Sequence, residues 1–191
     1  MKKLTLAVLA GILATFGVAQ ANSDTDALVR QIALSQLTGP HAMNVINWKV
    51  GEFGDMNIEG FGMPLGAIHK FVASEEGNFI WFQQDMSGQL IGNHKVEAKM
   101  DRATAKIVEL KQDGKPQQIP DSKLEIISQE NASITVPAGT FESIHIVAKD
   151  EKGQQMEVWM NPRDITLDGA AQEIIKAQIT MTLKLTKQGG R

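Results

Sequence analysis

The sequence predicts a mainly β protein: a curled antiparallel sheet or open β-barrel of about 9–11 strands, with an N-terminal helix packed on it. Three observations predict it. Apolar residues recur with a period of two from about position 44 onward, which is the periodicity of strands. Turn signals rich in Gly, Pro, Asp and Asn punctuate the chain every ~8–12 residues. No helical segments alternate with these strands, which argues against the parallel sheet of an α/β fold.

The elements follow in order. Met1-Lys2-Lys3 is a basic start, Leu4 to Val18 carries no charge, and Ala19-Gln20-Ala21 places small residues where a signal peptidase cuts. Residues 1–21 are therefore expected to be a removable signal peptide, of bacterial type. The apolar run is shorter than the roughly 20 residues that span a bilayer as a helix. An uncleaved anchor is the alternative. The chain has no Cys, so no lipid can be attached at the cut. The expected location is periplasmic or secreted, with no stable membrane insertion after cleavage.

Residues 22–191 are one domain's worth of chain, large enough to bury a core without disulfide or metal. Ser23 to about residue 38 reads as a helix, with Ser23 as cap, Asp24 and Asp26 at its start, and Leu28, Ile32 and Leu37 on one side. Gly39-Pro40 stops it. Strands are expected from about 44 to 187: Val45–Val50, a short one near 55–60, Ala67–Ser74, Phe79–Phe82 (an unbroken apolar run, covered on both faces), Val96–Met100, Lys106–Gln112, Leu124–Ser128, Ser133–Val136, Thr140–Ala148, Gln154–Met160, and Ile179–Thr186. Asp113-Gly114 is a strong hairpin signal. Residues 163–176 are less regular, with a helical turn around Ala170–Lys176. A sheet this long must curl or close to protect its edges, and the helix is the obvious plug.

Two segments carry a family resemblance. One is Trp48-Lys49-Val50-Gly51-Glu52-Phe53 with the glycine-rich stretch to Gly66. The other is Val136-Pro137-Ala138-Gly139-Thr140-Phe141-Glu142-Ser143 with Glu157-Val158-Trp159-Met160-Asn161-Pro162. Together they resemble the DUF3108-like group of exported bacterial proteins, which is similar in outline to the LolA/LolB lipoprotein carriers. The resemblance implies an open, curled antiparallel sheet and an extracytoplasmic compartment. It supplies no functional residue. The chain departs from the group's pattern at Ser143, where a Cys is common, and at Met56, where an aromatic is common. The corner has its own physical logic: Pro137 lacks a donor and suits a strand leaving its ladder, and Gly139 tolerates a positive φ.

Composition narrows the chemistry. The formal charge is −3, or −5 without Lys2 and Lys3, so nothing attracts nucleic acid or anionic lipid. The absence of Cys removes disulfide, thiolate and zinc–cysteine chemistry together. No cofactor is implied. Four histidines exist, His41, His69, His94 and His145, without a short metal-ligand spacing. Ser143 and His145 share a strand face, and Glu157 on the next strand is a conceivable third member of a triad, but no nucleophile elbow accompanies them. Asp164 and Asp168 flank a loop that lacks EF-hand spacing. The large apolar residues Trp81, Phe82, Met156 and Trp159 are the candidate lining of a ligand surface on the curled sheet. The expected function is that of an exported, non-enzymatic envelope protein binding a lipid, another apolar small molecule or a protein partner. The alternatives are an interaction protein with a filled core, and a hydrolase or metalloenzyme using His145.

Overall fold

The computed structural model describes residues 46–119, 124–151, 153–176 and 179–190. The signal peptide expected over 1–21 and the helix expected over 23–38 both lie outside the described residues. The elements are β1 (Phe53–Gly60), β2 (Met63–Glu76), β3 (Phe79–Gly88), β4 (Gly92–Asp101), β5 (Ile107–Gln112), β6 (Lys115–Pro116), β7 (Leu124–Val136), β8 (Gly139–Asp150), β9 (Gln155–Met160), β10 (Ala170–Lys176) and β11 (Thr180–Gly189).

All eleven strands form one antiparallel sheet in the order β6-β5-β4-β3-β2-β1-β11-β10-β9-β8-β7. The chain meanders outward from β1 to β6, crosses to the far edge, and meanders back from β7 to β11, which pairs with β1. The first and last strands therefore sit in the middle of the sheet. The edges β6 and β7 do not pair, so the sheet is open.

Burial alternates along most strands, as period-two sequence demands. Cross-strand rows build the buried face: Leu185–Met56–Ile68–Met86 in one row, and Val72–Phe82–Ala98–Leu110 in another. A second, smaller cluster holds Ile146, Val158, Met160 and Ala170.

The sheet bends at the β7–β8 corner. The β10–β11 ladder ends at Gln172–Lys184. The Ala138 N–H then donates to the next carbonyl of β11, that of Leu185, at 3.1 Å. Val136, Ile134, Ala138 and Phe141 thereby join the main core. Gly139 takes φ 141° at this corner, as its lack of Cβ permits.

Three expectations are corrected. Residues 46–49 form no strand, because the chain turns at Val50-Gly51, where Gly51 has φ 86° and the Glu52 N–H donates to Lys49 O at 3.0 Å. The segment acts as a plug instead: the Ile46 N–H donates to Arg102 O at 3.0 Å and Trp48 packs on Phe82 with ring centres 5.2 Å apart. Residues 124–136 are a single strand, bulged between Ile126 and Ser128, rather than two. Ala170–Lys176 is a strand and not a helical turn. Its Ala, Glu, Ile and Lys content favours helix locally, but β9 and β11 take up its backbone bonds on both sides.

The loop 161–169 is tied down throughout. The Asn161 side-chain amide donates to Glu142 O (2.9 Å) and Asp164 Oδ2 (2.8 Å). Its Oδ1 accepts from the N–H groups of Arg163 and Asp164. Thr166 Oγ1 donates to Phe53 O at 2.8 Å, and the Thr166 N–H donates to Gln188 Oε1 at 2.6 Å. Ile165 and Leu167 enter the main core.

Candidate docking surfaces

The four residues singled out from the sequence occupy different places. Phe82 is buried in the main core, while its neighbour Trp81 points to the opposite sheet face, because successive strand residues alternate. Met156 and Trp159 lie on opposite faces of β9. Four strands, β2, β1, β11 and β10, separate β3 from β9. The structure brings Trp81 and Phe82 to one depression and leaves the β9 pair elsewhere.

That depression measures ≈ 250 Å³ and is lined by Ala73, Ser74, Trp81, Phe82, Gln83, Glu97 and Lys111. Trp81 faces two ammonium groups, Lys111 Nζ at 4.7 Å and Lys99 Nζ at 5.7 Å from its ring centre. Lys99 also lies over Phe79 at 5.1 Å. These cation–π contacts explain how Phe79 and Trp81 tolerate the wetter face. Each lysine is also paired: Lys99 with Glu76 (2.6 Å) and Lys111 with Glu109 (2.7 Å). The hydrogen bond and charge of Lys99, with help from the Trp81 indole, hold the Glu76 carboxyl below its usual range. The Glu109 hydrogen bond raises Lys111.

A second cluster spans β7, β8 and β9. The His145 imidazole stacks on Trp159, with centres 4.1 Å apart and planes 10° apart. Its Nδ1 lies 3.3 Å from Glu130 Oε1 and its Nε2 lies 3.1 Å from Glu157 Oε2. Glu157 also pairs with Lys176 at 2.5 Å. The Lys176 hydrogen bond, with that of His145, lowers the Glu157 carboxyl against the opposing effect of burial. Ser143 Oγ donates weakly to Phe141 O at 3.4 Å. Both imidazole nitrogens thus face carboxylates, and the Ser143–His145–Glu157 arrangement lacks the serine–imidazole hydrogen bond that a triad requires.

The other titratable candidates are dispersed. His69 pairs with Asp55 (2.5 Å) and His94 with Asp113 (2.8 Å), on separate strands. No three His, Asp or Glu side chains gather at metal-ligand distance among the described residues. Asp164 is engaged by Asn161 and Arg163. Asp168 is buried against Lys70.

Lys70 is the residue that sequence reasoning missed. Its Nζ donates to both carboxylate oxygens of Asp168, at 2.9 and 2.6 Å, and the two side chains are 1% and 0% exposed. Asp168 Oδ1 also accepts the Ala170 N–H at 3.1 Å. In register, Lys70 sits beside Gln84, which faces Val96 and then Gln112, so a buried polar row crosses β2, β3 and β5. A signal was present: Lys70 falls between Ile68 and Val72, at the parity of the buried face. Its partner lies 98 residues away and left no local trace.

These elements define the class: an open, bent, all-antiparallel single-sheet protein. The chain is similar in fold to the hypothetical protein CT021 from Chlamydia trachomatis, with a TM-score of 0.53 and 7% identity over 78% of this chain and 91% of that chain. Two further solved structures show weaker likeness. One is a protein with YmcC-like fold from Bacteroides fragilis (TM-score 0.46, 10% identity, 76% of this chain and 99% of that one). The other is MucB (TM-score 0.41, 9% identity, 83% and 58%). No family model matches the chain, and no curated protein matches it. The likeness to CT021 is one of fold alone; kinship with the DUF3108-like group stays a resemblance of motifs.

Proposed function

We propose that this protein is an extracytoplasmic interaction module, exported by its signal peptide and working through its outer surfaces in the cell envelope. The burial of the inner-face side chains supports this reading. Met56, Ile58, Ile80, Ala98, Met100, Ala148, Val158, Met181 and Leu183 lie on the inner face with no exposed surface. A lipid carrier of LolA/LolB type needs apolar surface on that face that a guest can reach. The depression at Trp81 opens on the opposite, charge-lined side, and its Gln83, Glu97 and Lys111 suit polar contact better than an acyl chain.

Native mass spectrometry of protein purified from the periplasm of its own host tests this. The expected species is a chain beginning at Asn22, without bound lipid, whose melting temperature ignores added phospholipid. Stoichiometric lipid, or a melting temperature raised by phospholipid, would restore the carrier reading. A chain retaining Met1 to Ala21 would refute cleavage, and recovery of the protein from the cytoplasmic fraction alone would refute export.

A further inference from the structure

We propose that the free edge of β7, from Leu124 to Ser133, accepts an extended segment of a partner protein that alternates aliphatic and basic residues. The proposal rests on the interaction-module reading and names its surface.

The two edges of the sheet are built differently. At one edge, β6 is only two residues long and contains Pro116, which cannot donate a ladder bond. At the other, β7 runs for 13 residues, and among the described residues its ladder partner is β8 alone. Its sequence contains no Pro, Lys or Arg, the residues that usually blunt an edge. Only the bulge between Ile126 and Ser128 interrupts it.

Residues 125–131 are exposed on both faces of the strand, so this stretch projects past the core. Ile126 and Ile127 are 42% and 48% exposed. In register, Glu125 lies opposite Lys149 and Glu130 opposite His145, which puts both carboxylates on one face. Their side chains are 69% and 70% exposed although each has an ion-pair partner on β8. Ile126, opposite Ala148, lies on the other face. An added strand would find a backbone edge with no ladder partner among the described residues, an aliphatic shelf on one side and two carboxylates on the other. Lysine or arginine at alternate positions of that strand would complete the charge pattern.

The probe is a fluorescein-labelled peptide of about four Lys-Val repeats, followed by anisotropy on the full mature chain. The expected result is saturable binding that weakens as salt rises, loses about tenfold in affinity in the Glu125→Lys/Glu130→Lys double variant, and vanishes when alternate peptide nitrogens are methylated. The milder pair Glu125→Gln/Glu130→Gln gives the same direction if the first variant misfolds. No binding, equal binding of the methylated peptide, or affinity unchanged in both double variants would overturn the proposal. A dimer that Ile126→Lys dissolves would assign the edge to a second copy and overturn it as well. A lipid-free protein that ignores the peptide refutes the edge alone, whereas lipid in the core refutes the underlying reading.

Discussion

Lys70→Met isolates the buried ion pair. The substitution keeps the length and apolar volume of the stem and removes the ammonium that two carboxylate oxygens contact at 2.9 and 2.6 Å. Two charge-assisted hydrogen bonds are worth about 1.5–3 kcal/mol each. Breaking one partner of a buried pair costs about 3–5 kcal/mol, because the remaining charge stays desolvated. The two routes agree, and the loss is a large share of the roughly 5–15 kcal/mol that holds a domain together. Asp168→Leu is expected to cost a similar amount. The Lys70→Met/Asp168→Leu double variant is expected to recover most of the loss, since an apolar pair carries no desolvation penalty. Urea unfolding followed by tryptophan fluorescence measures all three. A single-variant loss below about 1 kcal/mol, or a double variant as unstable as the sum of the singles, would refute the account.

Gly66 and Gly88 face each other across β2 and β3, and a Cβ on Gly66 would meet the Ser87 carbonyl oxygen and approach Gly88 Cα to 3.1 Å. Gly66→Ala is therefore expected to destabilise by about 1–3 kcal/mol, seen as a lower melting temperature, since backbone cannot move aside as a side chain can. Ile58 and Leu183 are paired and fully buried, and truncating either to Ala is expected to cost about 2–5 kcal/mol in denaturant unfolding. The Glu157 carboxyl sits below its ordinary value of 4.5 through Lys176 and His145, so its stabilisation is complete above that value and is lost as pH falls through the lower folded-state value. Glu157→Gln is expected to flatten that acid limb in a pH-dependent thermal melt.

Much of the fold was legible because strand parity is local. Met181, Leu183 and Leu185 announce the buried face of β11 by alternating with Thr182, Lys184 and Thr186, and Asp113-Gly114 announces its hairpin. Legibility failed where a neighbour overrode local preference. Ala170–Lys176 has helix-favouring composition, yet its place between β9 and β11 makes it a strand. Residues 45–50 have strand-like spacing, yet the turn at Val50-Gly51 keeps residues 46–49 off the ladder. The candidate surfaces were less legible still. Trp81 and Trp159 stand out by size, but their lysine, histidine and glutamate neighbours come from other strands.

The amino-acid sequence alone determined that this chain forms period-two strands closed by short turns, and which side of most strands is apolar, since side-chain direction follows from backbone geometry one residue at a time. Only the tertiary structure decided that β1 joins β11, that Lys70 meets Asp168, and that β7 is a long edge strand among the described residues. Those outcomes depend on which distant strands share a ladder, and residues far apart in the chain carry no shared local pattern from which that pairing can be read.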